Sequence, residues 1–408
     1  MKLRIPKIGG QVEPGFEPVK TAFAQNFRWR GEIGAALTVY HGGRRIVDLW
    51  GGVSDVGERS PWTADTLGVI FSSTKGLAAL TALSLVDDGT LELDRPVADY
   101  WPEFGVGGKA TISVRTLLNH RSGLVGVDEP LSLDDLEDPD RASAIIARQE
   151  PLWAPDTRQG YHATTFGLYV GELIRRATGG LTVGELVAER LAKPLEADVY
   201  LGLPQALEPR VARLYPANLS TRILKIAPRA ITGLTLEGRI YRAVLKRGSP
   251  TQRAFANPAE LGVRGIRNFD TPRVRKMQLP WANGMASARG LAKVYAGLIG
   301  ADGSDGNRLV RRQAWEPVMK RQSWQEKDGV LLKPIGWSQG FVKDELHLFS
   351  PNPEAFGHPG AGGCLGWADP VEDLAIGYVM NSMDFHLRSR RALAICHALY
   401  RCLQGVKG

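Results

Sequence analysis

Ser72 and Lys75, in the stretch FSSTKG (71–76), are residues whose types and spacing could do chemistry. A helix beginning near Ser73 would put both on one side of its first turn, with Ser72 at the positive end of the helix dipole. A lysine enclosed by apolar residues resists protonation, so it could accept the serine proton and make that oxygen nucleophilic. The alternative is a capping serine with Lys75 extended into solvent. About one Ser-x-x-Lys is expected by chance in a chain of this length, so the surroundings must decide.

Ser338 is a rival candidate, because Gly336-Trp337-Ser338-Gln339-Gly340 matches the G-x-S-x-G nucleophile elbow. That elbow has to join a strand to a helix, whereas GWSQG continues into FVKDELHLFSP, which is typical of strand and loop. Too little sequence follows for the units that would carry an acid and a histidine. We therefore predict that Ser338 is not catalytic.

The elements around Ser72 must hold it at a strand-to-helix junction. Residues 34–53 predict an antiparallel hairpin that turns at His41-Gly42-Gly43, and TLGVIF predicts a strand leading to Ser72. GLAALTALSLVDDG (76–89) is apolar on nearly every face, which predicts a helix buried on most sides and ended by Gly89. Further helices are expected from 112 to an end at Ser122-Gly123 and at 165–179, 181–197, 287–300 and 388–405, with strands between 335 and 380.

Strands and helices at both ends of the chain bracket a mostly helical middle. This order predicts an α/β domain built from residues 1–95 and 283–408, with a helical insertion at 96–282. Within the insertion, residues of about 205–280 are rich in Arg, Pro and Gly with weak periodicity, which is typical of an irregular cap.

Composition is that of a globular protein: 408 residues, 43% hydrophobic and 23% charged. We find no run of about 18 apolar residues and no apolar signal segment near the N-terminus, so a cytoplasmic location is expected. The three cysteines do not suggest a disulfide framework, and no Cys/His spacing resembles a zinc site. No metal and no cofactor are expected.

Positive charge is concentrated in one segment. The chain carries a formal charge of +8, and between Arg210 and Lys276 fifteen basic residues face three acidic ones. A solvated basic face is one interpretation. Another is weak contact with an anionic membrane surface or an acidic partner. Nucleic acid is not predicted as a partner, because no recognition motif accompanies the charge.

Several motifs together carry a family resemblance. In chain order they are FSSTKG, DDGTLELDRPV, ISVRTLLNHRSGL, GYHATTFGLYVGELIRRATG, WANGMASARGLAKVYAGL and FGHPGAGGCLGWADP. They resemble the serine β-lactamase-related hydrolases, and within that group the class C-like, family VIII carboxylesterases. The resemblance begins at about residue 15 and is weakest at about 205–275. It implies a β-lactamase/penicillin-binding-protein-like α/β (α+β) fold, with an antiparallel sheet flanked by helices and a mostly helical inserted domain.

The resemblance also implies catalytic roles. Ser72 would be the acylated nucleophile, Lys75 its partner and Tyr161 a second general base, pulled toward ionisation by its neighbours. The related lactamases usually carry an Asn two residues after this Tyr, where this chain has Ala163. An amide that helps to hold a lactam substrate is therefore missing.

A second departure lies at His358-Pro359-Gly360, which takes the place of the Lys-Thr-Gly of the lactamases. A histidine is mostly neutral at pH 7, which disfavours an anionic substrate and favours neutral esters. By the resemblance, the Ser72 and Ala361 amides form the oxyanion hole. Ala361 belongs to the glycine-rich strand HPGAGG, in which Gly360 lets the backbone approach substrate.

Two further residues, His162 and Asn283, are predicted to contact substrate, the second because Asn283-Gly284 is a turn signal at the pocket mouth.

The expected activity is hydrolysis of small carboxylic esters through an acyl-enzyme on Ser72. Alternatives on the same scaffold are a β-lactamase or D-amino-acid peptidase, an amide hydrolase and an acyltransferase. A different class of function is a non-catalytic penicillin-recognising or membrane-surface protein. Acyl and alcohol specificity and oligomeric state stay open.

Overall fold

The computed structural model describes residues 6–217, 219–262, 265–303, 309–343 and 346–406. Its strands span Ile8–Val12 (β1), Gly34–His41 (β2), Arg44–Asp55 (β3), Ser60–Pro61 (β4), Gly68–Val69 (β5), Val199–Tyr200 (β6), Met285–Ala286 (β7), Ser323–Gln325 (β8), Ile335–Ser338 (β9), Phe341–Lys343 (β10), Phe356–Pro359 (β11), Leu365–Asp369 (β12) and Leu374–Met380 (β13).

The α-helices span Glu17–Trp29 (α1), Thr74–Asp87 (α2), Val114–Leu118 (α3), Leu133–Glu137 (α4), Pro139–Arg148 (α5), Thr165–Ala177 (α6), Val183–Leu186 (α7), Lys193–Leu195 (α8), Leu219–Thr221 (α9), Ala227–Thr232 (α10), Leu236–Leu245 (α11), Pro250–Ala256 (α12), Pro272–Lys276 (α13), Ala288–Ile299 (α14), Arg312–Trp315 (α15) and Arg390–Val406 (α16). Two π-helical stretches, Val187–Ala192 and Arg222–Ile226, join α7 to α8 and α9 to α10. A 3-10 turn, Phe71–Ser73, precedes α2.

One large antiparallel sheet contains strands from both ends of the chain. Its order is β1-β3-β2-β13-β12-β11-β10-β9-β8, with β4 paired to β3. The predicted hairpin is present as β2 and β3, and β13 pairs with β2 so that Val379 lies opposite Ala36. The predicted fold class, an antiparallel sheet flanked by helices, is confirmed.

Helices cover both faces of this sheet. Successive side chains of a strand point to opposite faces, so one strand contacts both helical layers. On β13, Gly377 faces α14 so closely that an added Cβ would lie 2.3 Å from the Ala288 carbonyl oxygen. The next residue, Tyr378, faces the other way, and its ring centroid lies 6.5 Å from that of Phe23 in α1. Packed against α1, the C-terminal helix α16 completes that layer.

Helix α2 has no solvent face through most of its length, as the sequence predicted. Residues 74–85 are all buried. Gly76 is required here, since an added Cβ would lie 2.2 Å from the Tyr295 hydroxyl oxygen on α14. At the same end, Gly340 on the β9–β10 turn approaches Ala79. The helix therefore lies between the sheet and the helical middle of the chain.

The middle of the chain is mostly helical, but it is joined to the terminal elements by a small sheet ordered β5-β7-β6. Two predicted helices differ from expectation. The one expected to end at Ser122-Gly123 is shortened to α3, because His120 has φ +58° and leaves the helical region. The one at 181–197 is interrupted by its π-helical stretch. The domain boundaries at 95/96 and 282/283 remain a prediction.

Helix α1 was not predicted, although its sequence contains a signal. Val19, Phe23 and Phe27 recur every fourth residue and are all buried. Among the described residues, no helix is both long and apolar enough to cross a membrane.

Candidate active site

Ser72 is the one residue with solvent exposure in an otherwise buried stretch. From Thr66 to Leu85 every residue is buried except Ser72, which is half-buried. The preceding Phe71 has φ +42°, a conformation that a bulky residue rarely adopts. Its ring packs edge-on against Phe269, with centroids 5.4 Å apart. The surrounding packing thus holds a strained turn that presents Ser72, as is common at functional sites.

The two residues after Ser72 bond this turn to two distant segments of the chain. The Ser73 hydroxyl donates to the His358 carbonyl oxygen on β11 at 2.8 Å. The Thr74 hydroxyl oxygen accepts the Gly284 backbone N–H at 2.9 Å. The predicted strand before Ser72 is present, shortened to β5.

Lys75 lies at the first turn of α2 with its side chain fully buried. Its Nζ donates to the Trp281 carbonyl oxygen at 2.9 Å and lies 3.5 Å from the Ser72 Oγ. No carboxylate among the described residues forms an ion pair with Lys75. Burial therefore lowers the pKa of Lys75 well below its usual range. The structure thus favours a neutral amine beside the Ser72 oxygen, and the alternative of an outward-pointing Lys75 is wrong.

Tyr161 faces the same two residues. The Lys75 Nζ lies 5.0 Å from the centroid of the Tyr161 ring, and the Trp337 ring stacks on it with centroids 5.4 Å apart. Burial raises the pKa of Tyr161 above its usual range, and a hydrogen bond with the Ser72 side chain offsets only part of this rise. The expectation that its neighbours pull Tyr161 toward ionisation is wrong, because desolvation outweighs the hydrogen bond. Tyr161 is a phenol at neutral pH.

Asp328 holds the backbone of Tyr161 and was not predicted. Its carboxylate is fully buried, and Oδ1 accepts the Tyr161 N–H at 3.1 Å together with the N–H groups of Val330 and Leu331. The other oxygen accepts from the Gln159 amide at 3.2 Å. The Tyr161 position is therefore set by a carboxylate 167 residues away in the chain.

His162 does not contact substrate, contrary to the prediction. It is fully buried, and both ring nitrogens have partners: Nδ1 donates to the Gly160 carbonyl oxygen at 2.7 Å, so Nε2 accepts from the Ser122 hydroxyl at 2.6 Å. Its backbone N–H donates to His120 Nδ1 at 3.1 Å. These bonds fix the loop that carries Tyr161, so His162 is a positioning residue.

His358 lies in β11 facing Tyr161, with ring centroids 6.2 Å apart. Burial lowers the pKa of His358 to about 3, so its ring is neutral at pH 7. Nδ1 donates to the Pro359 carbonyl oxygen at 2.8 Å, which leaves Nε2 a buried acceptor without a partner among the described residues.

The oxyanion residues differ from prediction in their backbone. The strand ends at Pro359, so Ala361 lies in the turn between β11 and β12 and is exposed. Gly360 is required for packing: an added Cβ would lie 2.4 Å from the Ile70 carbonyl oxygen and 2.2 Å from the Cys364 Sγ. The position that a Cβ would take is thus occupied by a residue before Ser72 and by Cys364, and contact of the Gly360 backbone with substrate stays a prediction. Neither the Ser72 nor the Ala361 N–H has a backbone acceptor among the described residues.

Asn283 is also corrected. Its side chain is buried, with Nδ2 donating to the carbonyl oxygens of Val274 and Met277 and Oδ1 accepting the Leu279 N–H. All of its bonds are local, so it shapes the loop that presents the Trp281 carbonyl oxygen to Lys75 and does not contact substrate.

Ser338 is excluded as a nucleophile, as predicted. It ends β9, and Gln339 and Gly340 form a two-residue turn with φ +47° and +91° into β10. The junction is strand to strand, and Ser338 is fully buried.

Asp328, Gln159 and the Trp281 carbonyl oxygen were missed by sequence reasoning. Asp328 sits in an Asp-Gly pair, which marks a turn but says nothing of a distant partner. A backbone carbonyl oxygen leaves no signal in residue types at all.

Comparison with known proteins shows the family of the chain. A family model described as Beta-lactamase matches residues 21–399, and the chain belongs to that family. It is 32% identical over 383 residues to Esterase/beta-lactamase LipL of Mycobacterium tuberculosis, which covers 92% of this chain and 83% of LipL. Over 190 residues it is 30% identical to Esterase EstB of Burkholderia gladioli, covering 41% of this chain and 48% of EstB.

Solved structures give the same result. A family VIII carboxylesterase superposes with a TM-score of 0.83 at 36% identity, covering 97% of this chain and 100% of that one. A penicillin-binding protein homolog from Caulobacter crescentus superposes with a TM-score of 0.82 at 31% identity, with coverage of 97% and 100%. The family resemblance of the motifs is confirmed, and the chain is a serine hydrolase of the β-lactamase fold with esterases among its neighbours.

Proposed function

We propose that the protein is a carboxylesterase that cleaves neutral esters through an acyl-enzyme on Ser72. The observation that carries this is the fully buried Lys75 amine, 3.5 Å from the Ser72 oxygen and without a carboxylate to keep it charged among the described residues. Esterase names among the relatives support the substrate class.

In the acylation step, the Ser72 oxygen attacks the ester carbonyl carbon while its proton passes to the neutral Lys75 amine. The Ser72 and Ala361 N–H groups, which have no backbone acceptor among the described residues, are free to donate to the oxyanion. As the C–O bond breaks, the proton held by Lys75 is returned through the Tyr161 hydroxyl to the leaving alkoxide. Attack of water, deprotonated along the same route, then releases the acid and restores Ser72.

A neutral ester is favoured over a lactam by two residues. His358 stands where the lactamases carry a lysine, and with its pKa lowered to about 3 by burial it offers no charge to a carboxylate at pH 7. Ala163, buried two residues after Tyr161, replaces an amide by a methyl group. The His358 Nε2, an unpartnered acceptor among the described residues, can accept from a donor such as a leaving alcohol.

The test is hydrolysis of p-nitrophenyl esters by the protein and by two matched serine variants. Ser72→Ala is expected to lower kcat/KM by about 10³-fold or more. Ser338→Ala is expected to keep full activity, because it removes a buried hydroxyl that lacks a partner among the described residues. Intact mass after a phosphonate probe should show one adduct on Ser72. Full activity in Ser72→Ala would refute the proposal.

Two parallel assays separate the alternatives on this scaffold. Nitrocefin hydrolysis faster than ester hydrolysis would indicate a lactamase. Ester exchange with added alcohol that exceeds hydrolysis would indicate an acyltransferase. We expect neither.

A further inference from the structure

The most exposed apolar side chains that the structure describes lie in one short part of the chain, residues 223–247, here called the basic hairpin. Their exposed fractions are 57% for Ile223, 73% for Leu224, 77% for Ile231, 82% for Leu234 and 76% for Leu245. The last four exceed every other large apolar side chain in the described residues. Single exposed apolar residues need no explanation, but a concentration of them marks an interaction surface.

The inner side of the basic hairpin is occupied by the protein itself. Helices α10 and α11 pack closely, since a Cβ on Gly238 would lie 2.0 Å from the Arg229 carbonyl oxygen. Ile240 is buried, and the Tyr241 hydroxyl donates to the Phe385 carbonyl oxygen at 2.8 Å. The hairpin is therefore anchored by one side, and its exposed apolar residues lie on the π-helical stretch before α10, on both helices and on the turn between them.

Positive charge accompanies these apolar residues. The basic hairpin contains six basic residues and one acidic residue, a formal charge of +5. Arg229, Arg239 and Arg242 donate to backbone carbonyl oxygens within the hairpin. Neither they nor Lys225, Lys246 and Arg247 form an ion pair with a carboxylate of the described residues. The charges of Arg239, Lys246 and Arg247 are thus available to an external anion.

We propose that the outer side of the basic hairpin docks on the surface of an anionic lipid bilayer. Exposed Leu and Ile side chains beside uncompensated Lys and Arg are what an interfacial element needs: the apolar groups enter the headgroup boundary and the cations bind anionic headgroups. A second protein would suit the apolar groups alone, whereas the surplus of charge selects an anionic partner.

Docking also sets the orientation of the candidate active site. The Lys225 and Arg229 cations lie 5.6 and 5.5 Å from the Phe385 ring centroid. The neighbouring Asp384 donates its N–H to the Gly362 carbonyl oxygen at 3.0 Å, next to Ala361. Hence the hairpin rests on a loop that is bonded directly to the proposed oxyanion turn. A bilayer-bound hairpin brings the esterase site close to lipid-dissolved esters.

Vesicle co-sedimentation of the full chain tests the proposal. Vesicles of phosphatidylcholine alone are compared with vesicles that contain 30 to 50% phosphatidylglycerol, at low and at about 0.5 M salt. Binding is expected only to the anionic vesicles and is weakened by salt. The triple variant Arg239→Gln/Lys246→Gln/Arg247→Gln should weaken it on the order of 100-fold, since each charge contributes about fivefold. The apolar variant Leu224→Ser/Ile231→Ser/Leu234→Ser should weaken it at least tenfold.

Matched controls keep the outcomes separate. Val106→Ser/Val371→Ser removes two exposed apolar side chains elsewhere and should bind as the unchanged protein does. Ser72→Ala should also bind unchanged, so a failed esterase proposal would leave this one standing. Equal binding to neutral and anionic vesicles, or unchanged binding by both hairpin variants, would overturn the proposal. So would a dimer in solution that the apolar variant dissociates while vesicles are ignored.

Discussion

At the residue scale, the protonation state of Lys75 decides whether Ser72 can react. A buried ammonium without a counter-ion loses its hydration and gains a carbonyl oxygen, a ring face and the distant Ser72 hydroxyl in return. The neutral form is thereby favoured, which is the form that a general base requires. Tyr161 is raised in pKa by the same burial, so the two groups enter the reaction as an amine and a phenol.

The first prediction concerns pH. Since burial lowers the pKa of Lys75, kcat/KM for a neutral ester should rise with pH through an apparent pKa well below 10.5 and then level off. His358, with a pKa lowered to about 3, and Tyr161, with a raised pKa, titrate outside the rising limb. A pH series with a fixed ester measures it. Activity that rises toward acid would contradict the assignment of Lys75 as the base.

A second prediction concerns Asp328. Asp328→Asn keeps one oxygen for the three N–H groups but places an NH₂ against the Gln159 amide donor. We expect kcat to fall about 10- to 100-fold with little change in KM, through misplacement of Tyr161. The free energy of unfolding should fall by about 1–3 kcal/mol.

A pH profile distinguishes positioning from general destabilisation. The variant should lower the plateau of the profile through misplacement of Tyr161 and leave the rising limb, which Lys75 sets, at the same pH. The exposed Asp140→Asn should change neither kcat nor the profile. An unchanged profile together with unchanged kcat would remove Asp328 from the site.

Functional residues could be predicted from the sequence where they belong to a local motif. Ser72 and Lys75 share one helical turn, so spacing alone places them together. Tyr161 needed the family resemblance. Asp328 could not be found, because its bond to Tyr161 spans 167 positions and depends on a loop with no motif. His162 and Asn283 were misassigned because they lie close to the site in sequence. The sequence does not distinguish a polar side chain that faces substrate from one that bonds to neighbouring protein groups.

At the scale of elements, the turn from β11 to β12 is held against the residues that precede Ser72. The third prediction is that Gly360→Ala lowers kcat at least about tenfold. The added Cβ would clash with the Ile70 carbonyl oxygen and the Cys364 Sγ, and a displacement of the site residues by about 1 Å is costly to catalysis. Ester kinetics and thermal unfolding measure the effect.

The matched control is Gly405→Ala in α16, where nothing lies within 4 Å of the added Cβ. It should leave kcat unchanged and stabilise the helix by up to about 1 kcal/mol. Equal kinetics for the two glycine variants would refute the proposed contact.

Elements with a clear period were predicted best. The β2–β3 hairpin, α2, α14 and α16 follow alternation or helical spacing. The chain between 96 and 282 was predictable only as mostly helical, since its many short helices end at turns fixed by distant contacts. The reversal at His120 is one example: its carbonyl oxygen accepts the Gly160 N–H forty residues away.

At the scale of the whole molecule, the two ends of the chain meet at a buried ion pair. Arg391, at the start of α16, places Nη1 3.1 Å from Glu32 Oε1, and both side chains are almost fully buried. The same guanidinium donates to the carbonyl oxygens of Gly31 and Arg30. Breaking one half of such a pair leaves an uncompensated buried charge.

The fourth prediction follows from this pair. Arg391→Met should lower the free energy of unfolding by about 3–5 kcal/mol at pH 7. Burial raises the pKa of Glu32, and loss of the arginine raises it further. Stability of the variant is therefore lost as pH rises through the folded pKa, so urea unfolding should show partial recovery as pH falls from 7 to 5.

The double variant Glu32→Gln/Arg391→Met should regain much of the lost stability at pH 7, since it removes the stranded charge. Failure of both acid and the double substitution to restore stability would show that packing, and not the ion pair, is what Arg391 provides.

The partner of the Lys75 amine is the carbonyl oxygen of Trp281, a main-chain atom. No change of side chain at position 281 removes that acceptor, provided that the loop keeps its course. The loop is in turn held by Asn283 through bonds to backbone. A substitution at position 281 therefore acts on the packing of this buried loop and not on the identity of the acceptor, so a variant that keeps the course of the loop keeps the bond to Lys75.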